Sequence, residues 1–174
     1  MSKIGIKEIK SHLMQKSPDA LLDEVMFLIK TFPQVKEYYQ SHLLPIDNTE
    51  ILSKYKKIIE NEFFPTRGFG KLRLVNIRKA ISDYKKLNPP LEGLIELKLC
   101  YVQQGTQFVN SYGDINENFY GSMETVYEEV CKLVAENNLV DHWIAQLKAV
   151  VNASKNIGYG YGDNISEIFD ELFS

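Results

Sequence analysis

Apolar positions along this chain recur at three- and four-residue spacings. No stretch shows strict two-residue alternation bounded by turn signals, so the pattern predicts helices and no sheet. Ile4 to Met14 reads as a short helix on Ile6, Ile9 and Leu13. Ser17-Pro18-Asp19 opens a second, with Ser17 as cap and Pro18 in the first turn. Its stripe is Leu21, Val25, Leu28, Ile29 and Phe32, widened by Leu22 and Met26, and Pro33 ends it. A short helix follows over Gln34–His42, then a break at Leu44-Pro45. Asp47-Asn48-Thr49-Glu50 reads as a capping box for a helix burying Ile51, Leu52, Tyr55, Ile58, Ile59 and Phe63.

The clearest loop is Phe64-Pro65-Thr66-Arg67-Gly68-Phe69-Gly70. Lys71 to Leu87 reads as a helix on Leu74, Ile77, Ile81 and Tyr84, closed by Asn88-Pro89-Pro90. Leu91 to Val109 follows, then the turn Ser111-Tyr112-Gly113-Asp114. There Asp114 is expected to cap the next helix, with Glu117 three residues on. That helix carries Phe119, Met123, Val126, Tyr127, Val130, Leu133 and Val134 on one face. Leu139–Ser154 is another, with Trp143, Ile144, Leu147, Val150 and Val151 inward. A glycine-rich turn, Ile157 to Gly162, precedes a last short helix over Asn164–Phe173 on Ile165, Ile168, Phe169 and Leu172.

Two Tyr-Gly-Asp turns, 112–114 and 161–163, each follow a Leu-Lys pair by 14 or 15 residues, and each is expected to start a helix. Two copies are fewer than a solenoid needs. The fold class expected is all-α: antiparallel helical hairpins in a multi-helical bundle or a short HEAT-like curl. It forms a single domain over 1–174, with 1–44 as an N-terminal helical subunit and 45–174 as the main body.

Composition changes this picture little. The 174 residues are 44% hydrophobic and 25% charged, which suits a folded globular chain rather than a disordered one. Cys100 and Cys131 both fall on apolar faces and make no disulfide framework. The N-terminus has no apolar leader, and Glu92, Glu96 and Lys98 interrupt the most apolar segment, so no membrane contact and cytoplasmic residence are expected. Charge is unevenly distributed. Residues 1–66 are neutral, 67–109 carry a net +5 and 110–174 a net −8. The basic and acidic thirds either face each other or mark a partner surface.

On a helical wheel Lys71, Arg78, Lys79, Lys85 and Lys86 share one arc, with Arg67 in the adjoining loop. Such an arc holds an anion or tracks nucleic-acid phosphates; it is also what the solvated face of a surface helix looks like. The loop 66–71 lacks the glycine spacing and Gly-Lys-Ser/Thr end of a P-loop, and the glycines at 158–162 do not fit a dinucleotide fingerprint. His12, His42 and His142 are scattered, with no second histidine or cysteine at ligand spacing, so no metal or other cofactor is expected. Glu124, Glu128 and Glu129 lack the Glu-x-x-His motifs of a di-iron bundle, and no G-x-S-x-G elbow exists. Tyr112, Asp114, Tyr161 and Asp163 would line a ligand cleft if the two Tyr-Gly-Asp turns lay side by side.

Lys7 to Ile29 is similar to the SAP-type helix–extended–helix DNA module. It departs in having no glycine between the helices, and in placing Asp19, Asp23 and Glu24 where the second helix should be basic. Lys3-Ile4-Gly5-Ile6-Lys7-Glu8-Ile9, Phe32 to Tyr39, Tyr112-Gly113-Asp114 and Gly158-Tyr159-Gly160-Tyr161 together resemble a bacterial family of unknown function, over nearly the whole chain. That resemblance implies a single helical domain of about 170 residues in a bacterial cytoplasm, and brings no activity or cofactor. The function expected is a non-enzymatic protein-interaction module, through a protein partner or self-association. The alternatives are nucleic-acid binding through the 67–86 face, and a small-ligand site or enzyme at the Tyr-Gly-Asp cleft.

Overall fold

A computed structural model describes residues 4–43 and 49–173 of the chain. The expected break at Leu44-Pro45 and the cap at Asp47 lie outside the described residues. Among those described there are nine helices and no strand. They are α1 (Ile6–Leu13), α2 (Pro18–Thr31), α3 (Pro33–Leu43), α4 (Thr49–Phe63), α5 (Leu74–Lys86), α6 (Leu91–Tyr112), α7 (Glu117–Glu136), α8 (Val140–Ser154) and α9 (Tyr161–Phe173). The helix ends follow local chemistry. Ser17 accepts a hydrogen bond from the Ala20 amide at 3.3 Å with Pro18 in the first turn, and Phe32 breaks α2 before Pro33.

The 22-residue α6 organises the bundle. Residues Leu97 to Val102 are buried without interruption, which at 3.6 residues per turn means burial around the whole circumference. Its neighbours are α4 and α5 on one side, and α7 and α8 on the other; α9 packs on α7 and α8. Tyr55, Ile59 and Phe63 of α4, Ile77 and Tyr84 of α5, and Phe119, Met123, Tyr127 and Val130 of α7 meet it in one core. The result is a multi-helical bundle.

Gly105 lets α7 approach α6. A Cβ there would run into the Sδ of Met123, so the fully buried Met123 side chain would have to shift within the core.

The N-terminal helices differ. No residue of α1 or α2 is buried, and Ile6, Ile9, Leu22, Phe27 and Phe32 are exposed. The expected α2 stripe is therefore only half covered. Among the described residues the first buried hydrophobic one is Tyr55.

Four local expectations need correction. The stretch Lys71–Arg73 is not helical: Leu72 takes a left-handed φ of 52°, and α5 starts at Leu74. Ile58 and Leu172, expected inside, are partly exposed. The cap of α7 is Asn116, whose Oδ1 accepts from the Phe119 amide at 3.0 Å, so Asp114 caps nothing and Glu117 is the first helical residue. The two Tyr-Gly-Asp turns are not equivalent. Tyr112 ends α6, and Gly113 follows at φ 93°, a conformation that favours glycine. Tyr161 instead begins α9, and Gly162 lies inside that helix against the Ser154 carbonyl. One tripeptide ends a helix and the other starts one, so the echo is not a structural repeat.

Gly105→Ala should therefore destabilise the bundle. Overpacking costs about 1–3 kcal/mol, set against up to about 1 kcal/mol of gained helix propensity. Chemical denaturation should give a lower midpoint with an unchanged slope; a midpoint at or above wild type would show that α6 and α7 can separate freely.

Candidate functional site

The expected basic arc divides into three places. Arg78 and Lys85, with Ser82 between them at helical spacing, face α7 across a groove of about 760 Å³. Lys86 pairs with Asp83 at 2.8 Å on the neighbouring face, which Lys79 shares by helical spacing. Lys71 and Arg67 sit in the loop before α5, both exposed. The wheel joins Lys71 to the arc only if the helix begins there; Arg67 lies in the adjoining loop, as expected.

The groove has a polar floor. Tyr101 donates to Ser122 Oγ at 3.0 Å, and an Arg78 Nη donates to the same oxygen at 3.1 Å. Beside them the nearly buried Lys98 of α6 donates to Glu129 of α7 at 2.6 Å. This is the one ion pair among the described residues that joins the basic 67–109 segment to the acidic C-terminal third. Among the described residues the two segments, though packed together through α6, are joined by this single ion pair and do not neutralise each other broadly.

The loop between α4 and α5 is held by a carboxylate that sequence reasoning passed over. Glu62 is buried at the end of α4, and its oxygens accept from Arg73 Nε at 3.0 Å, Arg73 Nη at 2.8 Å, the Arg73 amide at 3.1 Å and Asn76 Nδ2 at 2.8 Å. Burial pushes this carboxyl up, but the hydrogen bonds from Arg73 and Asn76 outweigh it and hold it below its ordinary value. The anchored loop carries Phe69 outward. Phe69 stands edge-on to Tyr112 with ring centroids 4.9 Å apart, and the two are 61% and 57% exposed. Phe64 and Phe108 back them. Glu62 could have been found only from its position on the apolar face of α4, where a glutamate needs a partner.

The two Tyr-Gly-Asp turns do come together, by ring packing. Asp114 accepts from the Tyr120 hydroxyl at 2.7 Å and lies against Gly158; Tyr120 stacks on Tyr159 at 5.5 Å. Burial, then the bond to Asp114, raises the Tyr120 hydroxyl to about 12. Tyr161 is fully buried, sharing a 2.9 Å hydrogen bond with Thr106. Tyr112 belongs to the separate aromatic cluster on the Phe69 side, and Asp163 is exposed on α9. The rings that join the turns are Tyr120 and Tyr159, which belong to the tyrosine-rich Tyr-Gly-Asp region of the sequence but not to the expected cleft set. Cys100 and Cys131 are buried, and burial lifts their thiols to about 11 and about 12, so both are protonated at neutral pH. Among the described residues no group of three His, Cys, Asp or Glu side chains could hold a metal ion, and no helix is long and apolar enough to cross a membrane.

Residues 1–172 match the model of the family of unknown function DUF6155, and the chain belongs to that family. No curated protein and no solved structure matches it.

Glu62→Gln should loosen the α4–α5 loop and lower stability at neutral pH by about 2 kcal/mol, the range for hydrogen bonds to a charged group. Because the folded carboxyl titrates below its ordinary value, its contribution is full above the unfolded value, about 4.3, and fades as pH falls through the folded one. Denaturant midpoints of wild type and variant, measured from neutral to acid, should converge below about pH 4. A gap that is constant with pH would rule out the charged form as the source.

Proposed function

We propose that this chain is a non-enzymatic interaction module that pairs with a second copy of itself through the apolar surface of α1–α3. The carrying observation is the uncovered apolar surface. Ile6 is 86% exposed, Met14 77%, Leu43 75%, Phe27 62% and Leu22 61%, with Ile9, Met26 and Phe32 adding more. At about 150–200 Å² per large side chain, these expose on the order of 800–1,000 Å² in total, spread over more than one face of α1–α3. A monomer leaves a few hundred Å² in one patch. A standard interface takes about 800 Å² from each partner.

Charge favours a copy of this chain as the occupant. Residues 4–43 carry five lysines and five carboxylates, so two such surfaces do not repel. An isologous dimer lets each surface cover the other. The sequence carries no catalytic motif, which supports a module whose work is contact.

A second reading rests on the Phe69–Tyr112 pair. Two exposed aromatic rings beside exposed Arg67 and Lys71 make a platform on which a single-stranded nucleic acid stacks its bases while the cations meet its phosphates.

Sedimentation of the full chain should show dimer at micromolar concentration. Leu22→Glu and Phe27→Glu should yield monomer with unchanged helical circular dichroism. A wild type that stays monomeric at hundreds of micromolar would defeat the self-association reading. For the second reading, anisotropy with labelled single-stranded DNA and RNA should give binding that falls steeply with salt and weakens about tenfold or more in Phe69→Ala, at about 1–3 kcal/mol per stacked base. Equal binding by the variant would remove it.

A further inference from the structure

The α5–α7 groove has properties that the packing of the bundle does not require. Its floor is Ser122, a residue only 8% exposed. The Ser122 hydroxyl oxygen accepts from both Tyr101 and Arg78, which fills its two lone pairs and leaves its own proton to donate. Arg78 commits one nitrogen to Ser122, so the rest of its guanidinium fork faces the opening. Lys85 stands two turns further along the same face of α5. Across the groove Arg78 and Lys85 face two carboxylates, Glu117 and the half-exposed Glu129, and Lys98 pairs with the second, which leaves the groove with an excess of positive charge.

Gly121 gives the second, independent observation. It sits in the first half of α7, lines the groove, and a Cβ built on it would meet nothing within 4 Å. A glycine inside a helix is disfavoured relative to alanine. At Gly105 close packing accounts for that cost; at Gly121 nothing in the protein does. What the missing side chain provides is access to the backbone and to the Ser122 floor behind it.

We infer that the α5–α7 groove is a binding site for a small organic oxyanion, a phosphate monoester or carboxylate carried on a hydroxylated body. The anionic group sits at Arg78 and Ser122, where a planar donor fork and a hydroxyl donor meet its oxygens, and Lys85 adds positive charge two turns along the same groove. The body lies over Gly121 towards Asn118, whose amide can donate and accept, and Thr125, whose hydroxyl donates to the Gly121 carbonyl at 2.8 Å and can accept from a ligand hydroxyl. The volume suits a ligand of this size, since such sites run from about 300 to 1,000 Å³. This site shares no residue with the α1–α3 surface and stands or falls separately from it.

The test is calorimetric titration and thermal melting of the full chain with glucose 6-phosphate, gluconate and glucose at fixed ionic strength. One or both anions should bind and raise the melting temperature, and neutral glucose should do neither. Binding by gluconate alone supports the site and assigns the carboxylate; binding by glucose 6-phosphate alone assigns the phosphate. Arg78→Gln should weaken binding at least tenfold. Gly121→Leu should block it while leaving the unliganded melting temperature equal or higher, which a purely structural glycine would not allow. No heat and no shift with either anion up to ~10 mM, a concentration that would reveal even millimolar affinity, would overturn the inference. So would anion binding unchanged in both variants.

Discussion

A helix buried around its whole circumference has to be enclosed by others, and α6 imposes that demand on the rest of the chain. Six consecutive residues, Leu97 to Val102, face protein in every direction. Each apolar side chain among them contributes roughly 1.5–3 kcal/mol by leaving water, so no single neighbour can satisfy the helix. α4, α5, α7 and α8 are held to it from different sides, and α9 completes the cover over α7 and α8. Where α7 comes closest, Gly105 supplies the space that Met123 fills. The same enclosure fixes the one polar residue that α6 buries beneath the groove, Lys98, whose ammonium must reach outward to Glu129.

The groove is a consequence of this arrangement. α5 and α7 each lean on α6 and do not close on one another. The gap is bridged by one hydrogen bond, from Arg78 of α5 to Ser122 of α7, and that bond shares its acceptor with Tyr101 of α6. Three helices therefore meet at a single serine hydroxyl. The polar character of the seam follows from where α6 places Tyr101 and Lys98: both present a polar group at the edge of the core. The apolar alternative, a leucine at Ser122, would leave the Tyr101 hydroxyl without its acceptor.

Much of the helical layout was legible in the sequence, because it rests on a period that side chains display directly. The stripe of Phe119, Met123, Tyr127, Val130 and Val134 is buried as its spacing predicts. The misread points share a cause: helix ends depend on backbone angles and on competition between capping groups, which the pattern does not display. Asp114 and Asn116 are both good caps. Asn116 takes the role, and Asp114 is drawn instead to the Tyr120 hydroxyl across the turn. Leu72 at a left-handed φ moves the start of α5 past Lys71 and so dissolves part of the basic arc. The groove residues were partly visible, since Arg78 and Lys85 share a face at any helix start. Ser122, Tyr101 and Gly121 were not, because nothing in a single sequence says that a serine on α7 sits opposite an arginine on α5.

Apolar spacing shows which face of a helix avoids water, but not what covers it. α7 and α2 read alike on a wheel; one is enclosed by α6 and α9, while the other is half covered and keeps Leu22, Met26 and Phe32 in solvent. The difference lies in the partners that the fold supplies. α1 to α3 precede Tyr55, the first buried hydrophobic among the described residues, and join the body through polar links such as the Tyr55 hydroxyl to Glu37 at 3.3 Å and the Lys54–Glu37 pair. Such links orient a segment without covering it, since exposed ion pairs contribute about 0–1 kcal/mol. An apolar surface held in place in this way remains available to a surface of matching character, and the near-neutral charge around it makes a second copy of the same chain electrostatically acceptable.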